Sequence, residues 1–297
     1  MYMKKPLFTG CATALVTPYD ENGIDYALLD RNLERQIDGG VSALVICATT
    51  GEAPVLTDSE RAELVGFCAR HINGRVSLIA GIGGNDTQKA AASARQAELL
   101  GADGVMLTAP YYNRASPEGL YRHFTYAAAR TGLPLIVYNV PGRTGVKCSA
   151  ELYARLAETP NINGVKEASG DISLVSDTLR LCAGELTVWS GNDDQTLPMM
   201  ALGAAGVISV ASNLIPREIS LLCGSMLLGD LEAAKALQQR YGTLFDLLFT
   251  ENNPIPVKTA LSLMGLDHGA FRLPLCPMEE KNLLSLESCL RELSLII

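Results

Sequence analysis

One lysine of this chain is placed where it could act as a nucleophile. Of the eight lysines, only Lys166 lies within an apolar strand pattern, whereas the others precede the first strand or fall in helical segments or a loop. Burial disfavours the charged form of an amine, so a partly desolvated lysine has a lowered pKa and can attack a keto group. A lysine at a strand end can also be a simple ion-paired side chain, so its neighbours must decide.

Hydroxyl groups follow other strand patterns of the chain. An amine that forms an imine needs partners that protonate the departing hydroxyl and later deprotonate a methyl carbon, and tyrosine and threonine hydroxyls can relay such protons. The candidates at strand ends are Thr49, Thr50, Tyr111, Tyr112 and Tyr138. Arg143 follows a Pro-Gly pair, and its planar guanidinium suits a carboxylate. Each tyrosine alone could be an ordinary amphipathic residue of the barrel rim, and Arg143 alone could be an ordinary surface arginine.

Eight short runs rich in β-branched and apolar residues alternate with segments whose apolar residues recur every three or four positions. The runs begin at Cys11, Ala43, Val76, Gly104, Leu133, Asn161, Glu185 and Gly206. Continuous apolar strands that alternate with helices indicate a parallel sheet with covered faces. The pattern predicts an α/β fold, a (β/α)8 TIM barrel, with a doubly wound open sheet as the alternative.

After Ser212 the strand pattern stops and only helical patterns follow. We therefore predict a catalytic barrel over residues 1–224 and a small C-terminal helical extension over residues 225–297. No long Pro/Gly/Ser linker separates the two, so the extension should pack against the barrel. The active site of such a barrel forms at the carboxyl ends of the strands, which would bring Lys166 and its candidate partners together.

Composition excludes several classes of protein. The formal net charge of −8 and the lack of a Lys/Arg block disfavour nucleic-acid binding. No apolar run approaches the roughly 20 residues of a membrane span, and the N-terminus lacks the apolar region of a signal peptide, so we expect no membrane association and a cytoplasmic location. The eight cysteines are scattered singly, which predicts reduced and mostly buried residues.

Five motifs occur in one order along the chain. They are ATTGEAPVLT at 48–57, YYNRAS at 111–116, VYNVPGRTG at 137–145, GVKEASGD at 164–171, and SGNDD followed by GVISVASN. With them the chain resembles, nearly end to end, the dihydrodipicolinate synthase branch of the N-acetylneuraminate lyase superfamily. The resemblance implies a (β/α)8 barrel, usually a homotetramer built as a dimer of tight dimers, with no metal and no organic cofactor. The implied reaction condenses pyruvate with L-aspartate 4-semialdehyde to 4-hydroxy-tetrahydrodipicolinate, on the way to diaminopimelate and lysine.

The resemblance also implies roles for individual residues. Lys166 would form a Schiff base with pyruvate, with Tyr138 as general acid and base beside it. Thr49 and Tyr112 would complete a proton relay, with Tyr112 reaching across the tight-dimer interface. The substrates would be held by four further residues: Thr50 at the pyruvate carboxylate, Arg143 at the carboxylate of the aldehyde, and Gly191 and Ile208 through main-chain contacts.

The chain departs from the family pattern at the site where many members bind lysine as a feedback inhibitor. Asn85 and Tyr111 match that pattern, but Ala53 replaces a serine, Asp58 and Arg61 stand where histidines occur, and Lys89 replaces a glutamate. A cation at position 89 repels the ε-ammonium of lysine. We predict weak or absent inhibition by lysine.

Three other functions remain alternatives. A sialic acid or 2-keto-3-deoxy sugar acid lyase of the same superfamily would share Lys166, Tyr138 and Thr50 but would generally lack Arg143. A nucleotide-binding module is suggested by G-I-G-G-N at 81–85, although Asp86 occupies the place of the third glycine of a dinucleotide fingerprint. A non-catalytic protein on the same barrel would be expected to lack the lysine or the relay.

Overall fold

Eight parallel strands form a closed barrel in the computed structural model, which describes residues 4–297. The strands are β1 Gly10–Ala14, β2 Ala43–Ile46, β3 Ser77–Gly81, β4 Gly104–Thr108, β5 Leu135–Asn139, β6 Ile162–Glu167, β7 Thr187–Ser190 and β8 Gly206–Ser209. Each strand pairs with the next along the chain, and β8 pairs with β1 to close the ring. The predicted (β/α)8 barrel is confirmed, and every predicted apolar run overlaps one of these strands.

Helices follow the strands and cover the outside of the barrel. They are α1 Tyr26–Asp38, α2 Asp58–Ile72, α3 Thr87–Leu99, α4 Pro117–Ala128, α5 Pro141–Thr144, α6 Ala150–Ala157, α7 Ile172–Cys182, α8 Thr196–Leu202 and α9 Pro216–Leu227. Most begin at a residue whose side chain accepts a backbone N–H, and α2 has a full capping box between Thr57 and Glu60. A short antiparallel hairpin, Tyr19–Asp20 with Gly23–Ile24, lies between β1 and α1.

The strands are buried on both faces, which explains why their sequences are continuously apolar rather than alternating. One cluster fills the barrel interior, including Ala12, Val45, Ile79, Met106, Ile136 and Ile208. A larger cluster packs the outward-facing strand residues against the helices. Phe8, which precedes β1, stacks on Trp189 of β7 with ring centroids 4.8 Å apart. This pair fills the interior at the amino-terminal end of β1, so the cavity described below opens at the opposite end.

Three further helices form the C-terminal part of the chain: α10 Leu231–Leu247, α11 Ile255–Leu263 and α12 Glu280–Glu292. Helix α10 packs against α9 and α12, and α11 packs against α12. The boundary predicted between residues 224 and 225 falls inside α9, which also contacts β1. The division into two units stays a prediction.

The cysteines are free, as the sequence predicts: seven are buried and Cys276 is exposed. Within residues 4–297 no helix combines the length and the apolar character needed to cross a bilayer.

Candidate active site

Lys166 and Tyr138 lie side by side at the carboxyl ends of two neighbouring strands. They are register partners in the β5–β6 pairing, so both side chains point to the same face, the barrel interior. Lys166 is 3% exposed and Tyr138 is 6% exposed. The Lys166 Nζ lies 4.4 Å from the centroid of the Tyr138 ring. The pairing of β5 with β6 therefore places an amine directly beside a phenol.

Burial changes the acid–base properties of both groups. It lowers the pKa of Lys166 to about 8, with nearby Asp193 opposing this shift and the charge of Arg143 adding to it. Burial also raises the pKa of Tyr138, while Arg143 and the Thr49 hydroxyl act in the opposite direction. The neutral amine is the nucleophilic form of lysine, and a neutral phenol can donate a proton. Near neutral pH, the pair thus offers a fraction of neutral amine beside a neutral phenol, and imine formation needs both.

The turn after β2 carries two threonines toward the same end of the barrel. Thr50 is buried, and Thr49 is partly exposed. The segment after β1 holds this turn in place, since the Thr17 hydroxyl donates to the Gly51 carbonyl at 2.8 Å. The next residue, Glu52, has the left-handed φ of 54° and is completely buried against Lys258 of α11, with the Lys258 Nζ 2.7 Å from its carboxylate. A C-terminal helix therefore supports the loop that carries Thr49 and Thr50.

Gly191, directly after β7, makes room for the stem of the lysine. A Cβ at this position would lie 3.1 Å from the Lys166 Cε and 2.6 Å from the Ala168 Cβ. Two residues on, Asp193 is 2% exposed and accepts hydrogen bonds from the Ser209 hydroxyl and from the main-chain N–H groups of Val210 and Ala211. Burial raises the pKa of Asp193, and these hydrogen bonds oppose that shift. Asp193 thus fixes the segment after β8 beside the lysine.

Arg143 lies on the short helix α5 after β5, and its Nη2 donates to the Asn253 main-chain carbonyl at 3.0 Å. Asn253 belongs to the segment between α10 and α11, so the C-terminal helices contribute directly to this end of the barrel. A cavity of about 390 Å³ lies here. Among its lining residues are Thr50, Tyr138, Arg143, Lys166, Gly191 and Asn253.

The structure gathers five of the eight predicted site residues around this cavity: Lys166, Tyr138, Thr50, Arg143 and Gly191. Thr49 lines a second, adjoining cavity. Ile208 is fully buried in β8. Tyr112 differs from the rest, because it is 92% exposed with a left-handed φ of 68° and, within residues 4–297, lines neither cavity.

Sequence reasoning missed Asn253 and Asp193. Asn253 lies in the polar segment Asn252-Asn253-Pro254 between two helices, outside the strand-end rule that selected the other residues. Asp193 stands next to Asp194, and nothing in the motif tells which of the two aspartates turns inward. The signal available was weak in both cases: a buried asparagine before a proline, and an acidic pair after a strand.

The second cavity has a volume of about 540 Å³ and adjoins the first at Arg143 and Val140. Its lining includes the residues at the lysine-binding positions of the family pattern: Ala53, Asp58, Arg61, Asn85, Lys89 and Tyr111. The Arg61 guanidinium donates to the main-chain carbonyls of Gly81 and Ala53 at 3.2 and 3.0 Å. Arg61 is therefore part of the cavity wall, whereas Lys89 is exposed.

Close packing of the backbone accounts for Gly81, the first glycine of the segment 81–85. A Cβ on Gly81 would lie 2.2 Å from the Cys47 carbonyl oxygen, so β3 can approach the end of β2 only with glycine there. This close contact explains why residue 81 is a glycine, and no bound phosphate is needed to explain it. The nucleotide-binding alternative therefore loses the support that it drew from Gly81.

A buried lysine of lowered pKa at the carboxyl end of a (β/α)8 barrel, beside a tyrosine and with an arginine at the rim, defines a lyase that works through a lysine amine. The model of the dihydrodipicolinate synthetase family matches residues 7–293. The chain therefore belongs to the dihydrodipicolinate synthetase family.

Individual relatives agree with this assignment. The 4-hydroxy-tetrahydrodipicolinate synthase of Thermotoga neapolitana is 45% identical over 98% of this chain and 100% of its own length. The structure of dihydrodipicolinate synthase from Thermotoga maritima superposes with a TM-score of 0.96, at 41% identity over 98% of this chain and 100% of that one. The chloride-inhibited enzyme from Acinetobacter baumannii, complexed with pyruvate, gives a TM-score of 0.95 at 40% identity over 97% of this chain and 99% of that one.

Proposed function

We propose that the chain is a 4-hydroxy-tetrahydrodipicolinate synthase that condenses pyruvate, held as a Schiff base on Lys166, with L-aspartate 4-semialdehyde. The observation that carries the proposal is the buried Lys166 amine beside Tyr138, in a cavity that also holds Thr50 and Arg143. The names of the relatives support the same reaction.

The first half-reaction forms an enamine on the enzyme. The neutral Lys166 amine attacks the keto carbon of pyruvate, and the resulting carbinolamine loses water to give the imine. Tyr138 donates the proton to the departing hydroxyl, with Thr49 and Tyr112 relaying protons to and from it. Removal of a proton from the methyl carbon then gives the enamine. The Thr50 hydroxyl holds the pyruvate carboxylate, and Gly191 and Ile208 offer main-chain contacts.

The second half-reaction uses the aldehyde. Arg143 binds its carboxylate, and the enamine carbon attacks the aldehyde carbon to form a carbon–carbon bond. The α-amine of the aldehyde substrate, once neutral, attacks the imine carbon, closes the ring and releases the Lys166 amine. One water leaves over the whole sequence, at imine formation, so the atoms balance without an external oxidant or reductant.

We also propose the assembly expected from the resemblance, a homotetramer made of tight dimers in which Tyr112 completes the partner's site. The exposure of Tyr112 supports this arrangement, because a relay residue that faces solvent in one chain needs a second chain to reach a reacting group. A cytoplasmic location stays a prediction.

The test is reduction with borohydride in the presence of pyruvate, followed by peptide mapping. We expect a reduced adduct on Lys166. Lys258 is an internal control, because it is also completely buried, but its ammonium bonds Glu52 and the carbonyls of Thr17 and Ala270. An adduct on Lys258, or none at all, would contradict the proposal.

A turnover assay distinguishes the alternative lyases. The enzyme should consume pyruvate with L-aspartate 4-semialdehyde and should not cleave N-acetylneuraminate or a 2-keto-3-deoxy sugar acid. Cleavage of a sugar acid at the higher kcat/KM would assign the chain to the other branch.

A further inference from the structure

Asn253 occupies a central place at the mouth of the barrel although it comes from the C-terminal helices. It is 5% exposed and lines the cavity that contains Lys166. Its segment is held from the outside by α12, since the Glu251 carboxylate accepts from the Glu279 N–H and from the Asn282 side-chain amide. The position of Asn253 is therefore fixed by the fold before any substrate binds.

Two polar groups of Asn253 contact the two residues proposed to bind carboxylates. Its side-chain Nδ2 donates to the Thr50 Oγ1 at 2.9 Å. Its main-chain carbonyl accepts from the Arg143 Nη2 at 3.0 Å. One residue thus lies between the group for the pyruvate carboxylate and the group for the aldehyde carboxylate.

The remaining polar atom of Asn253, the side-chain Oδ1, is buried and has no hydrogen-bond partner among residues 4–297. Leaving a buried amide oxygen unpaired costs free energy, so we expect a bound ligand to supply the missing hydrogen-bond donor.

The chemistry of Thr50 fixes which way the amide points. A carboxylate only accepts hydrogen bonds, so the Thr50 hydroxyl must direct its hydrogen at pyruvate. Its oxygen is then left to accept a hydrogen bond, and only the Nδ2 side of the Asn253 amide can donate one. This leaves Oδ1 as the unpaired acceptor of a residue whose main-chain carbonyl bonds Arg143.

We propose that Asn253 orients Thr50 toward pyruvate and that its free Oδ1 accepts a hydrogen bond from the α-ammonium of the aldehyde substrate, which makes Asn253 a specificity residue. The inference rests on the proposed function. L-Aspartate 4-semialdehyde carries one cationic donor, on the carbon next to the carboxylate that Arg143 binds. Arg143 is itself bonded to the Asn253 carbonyl, so an ammonium adjacent to that carboxylate comes within reach of the same residue.

The test begins with Asn253→Ala, which removes the amide and keeps the main-chain carbonyl that bonds Arg143. The half-saturating pyruvate concentration for borohydride trapping should rise about tenfold, because the Thr50 hydroxyl loses the donor that orients it. Lys166 should still be trapped completely at saturating pyruvate. Trapping with pyruvate alone does not involve the aldehyde, so it reports on Thr50 separately.

The second measurement compares two aldehydes that differ only in the amino group. For the wild type, L-aspartate 4-semialdehyde should bind about tenfold or more tightly than succinate semialdehyde, measured as the KM of the first and the competitive Ki of the second. In Asn253→Ala this preference should fall close to one.

Asn282→Ala is the matched control, because it removes an asparagine that holds the same segment from α12 and lies outside the cavity. It should leave both the pyruvate half-saturation and the aldehyde preference unchanged. Equal effects of the two variants would show that loosening of the segment is responsible and would overturn the proposal.

Asn253→Asp keeps the shape and the acceptor but removes the donor. It should raise the pyruvate half-saturation and keep the preference for the ammonium-bearing aldehyde. Loss of that preference in Asn253→Asp, or its retention in Asn253→Ala, would overturn the contact with the ammonium. Failure of Lys166 trapping in the wild type would instead refute the proposed function, so the two failures are distinguishable.

Discussion

At the scale of single residues, the nucleophilic role proposed for Lys166 follows from its burial, because a buried ammonium is poorly solvated. The ammonium would lie within the barrel mouth, and the nearby guanidinium of Arg143 disfavours it further. The Asp193 carboxylate raises the Lys166 pKa and so opposes both effects. The same carboxylate accepts three hydrogen bonds. The balance leaves the Lys166 pKa at about 8, low enough for a useful fraction of neutral amine at neutral pH.

This balance predicts the pH dependence of imine formation. The neutral amine predominates above the pKa, so the rate of borohydride trapping with pyruvate at low concentration should rise with pH through a midpoint near 8. Arg143→Gln removes a cation that lowers the Lys166 pKa, so the midpoint should move to higher pH. Arg70→Gln, at an exposed position of α2, serves as the control and should leave the midpoint in place. A midpoint that moves to lower pH in Arg143→Gln would contradict the electrostatic account.

At the scale of elements, the site depends on the C-terminal helices as much as on the strand ends. Lys258 of α11 reaches into the barrel mouth and bonds Glu52 and the carbonyls of Thr17 and Ala270. The main-chain N–H of Arg272 donates to the other oxygen of Glu52 at 3.2 Å. Both side chains of the Glu52–Lys258 pair have zero exposure, and the pair holds the loop that carries Thr49 and Thr50.

Because the pair is completely buried, removing one partner should cost more than removing both. Lys258→Met leaves the Glu52 carboxylate without its counter-charge, and we expect the free energy of unfolding to fall by about 3–5 kcal/mol. The double variant Glu52→Gln, Lys258→Met should recover part of that loss. Urea unfolding followed by the fluorescence of Trp189, the single tryptophan, measures each variant. Strictly additive losses in this double-mutant cycle would mean that the two residues do not interact.

At the scale of the whole molecule, the barrel could be predicted from the sequence because each strand is a local pattern. Buried parallel strands need runs of apolar residues, and such runs are visible one at a time. Lys166, Tyr138, Thr50 and Arg143 were found for the same reason, since each lies at or just after a strand. Asn253 could not be found in this way: it meets Thr50 across 203 residues of sequence, and only the packing of α10–α12 brings it there.

The second cavity bears on the predicted response of the enzyme to lysine. The structure gathers the six residues of the lysine-binding pattern around one cavity, with Lys89 at the position of a carboxylate. The response to lysine stays a prediction: lysine should not inhibit at submillimolar concentration, because the Lys89 ammonium repels that of the ligand. Lys89→Glu should increase sensitivity to lysine in a steady-state assay, whereas Lys89→Gln should change it less. Strong inhibition of the unmodified enzyme would refute this prediction.

Tyr112 raises the question of whether one chain makes a complete site. It follows β4 with a left-handed backbone, and the loop is held in that shape because the Asn85 side chain donates to the Tyr111 carbonyl and the Asn113 side chain donates to the Asn85 carbonyl. Its side chain nevertheless projects into solvent. A non-glycine residue held at positive φ carries a strain that the surrounding structure must support, and such positions cluster at functional sites.

If Tyr112 serves the neighbouring subunit, two inactive variants should restore each other. Lys166→Ala and Tyr112→Ala would each be almost inactive alone, but a mixed dimer contains one site that takes Lys166 from one chain and Tyr112 from the other. We expect activity to reappear when the two variants are unfolded together and refolded as hybrids, up to one intact site in each mixed dimer. If Tyr112 acted within its own chain, every site of the hybrid would lack either the lysine or the tyrosine, and no activity would return. Refolding each variant by itself controls for recovery that does not depend on mixing.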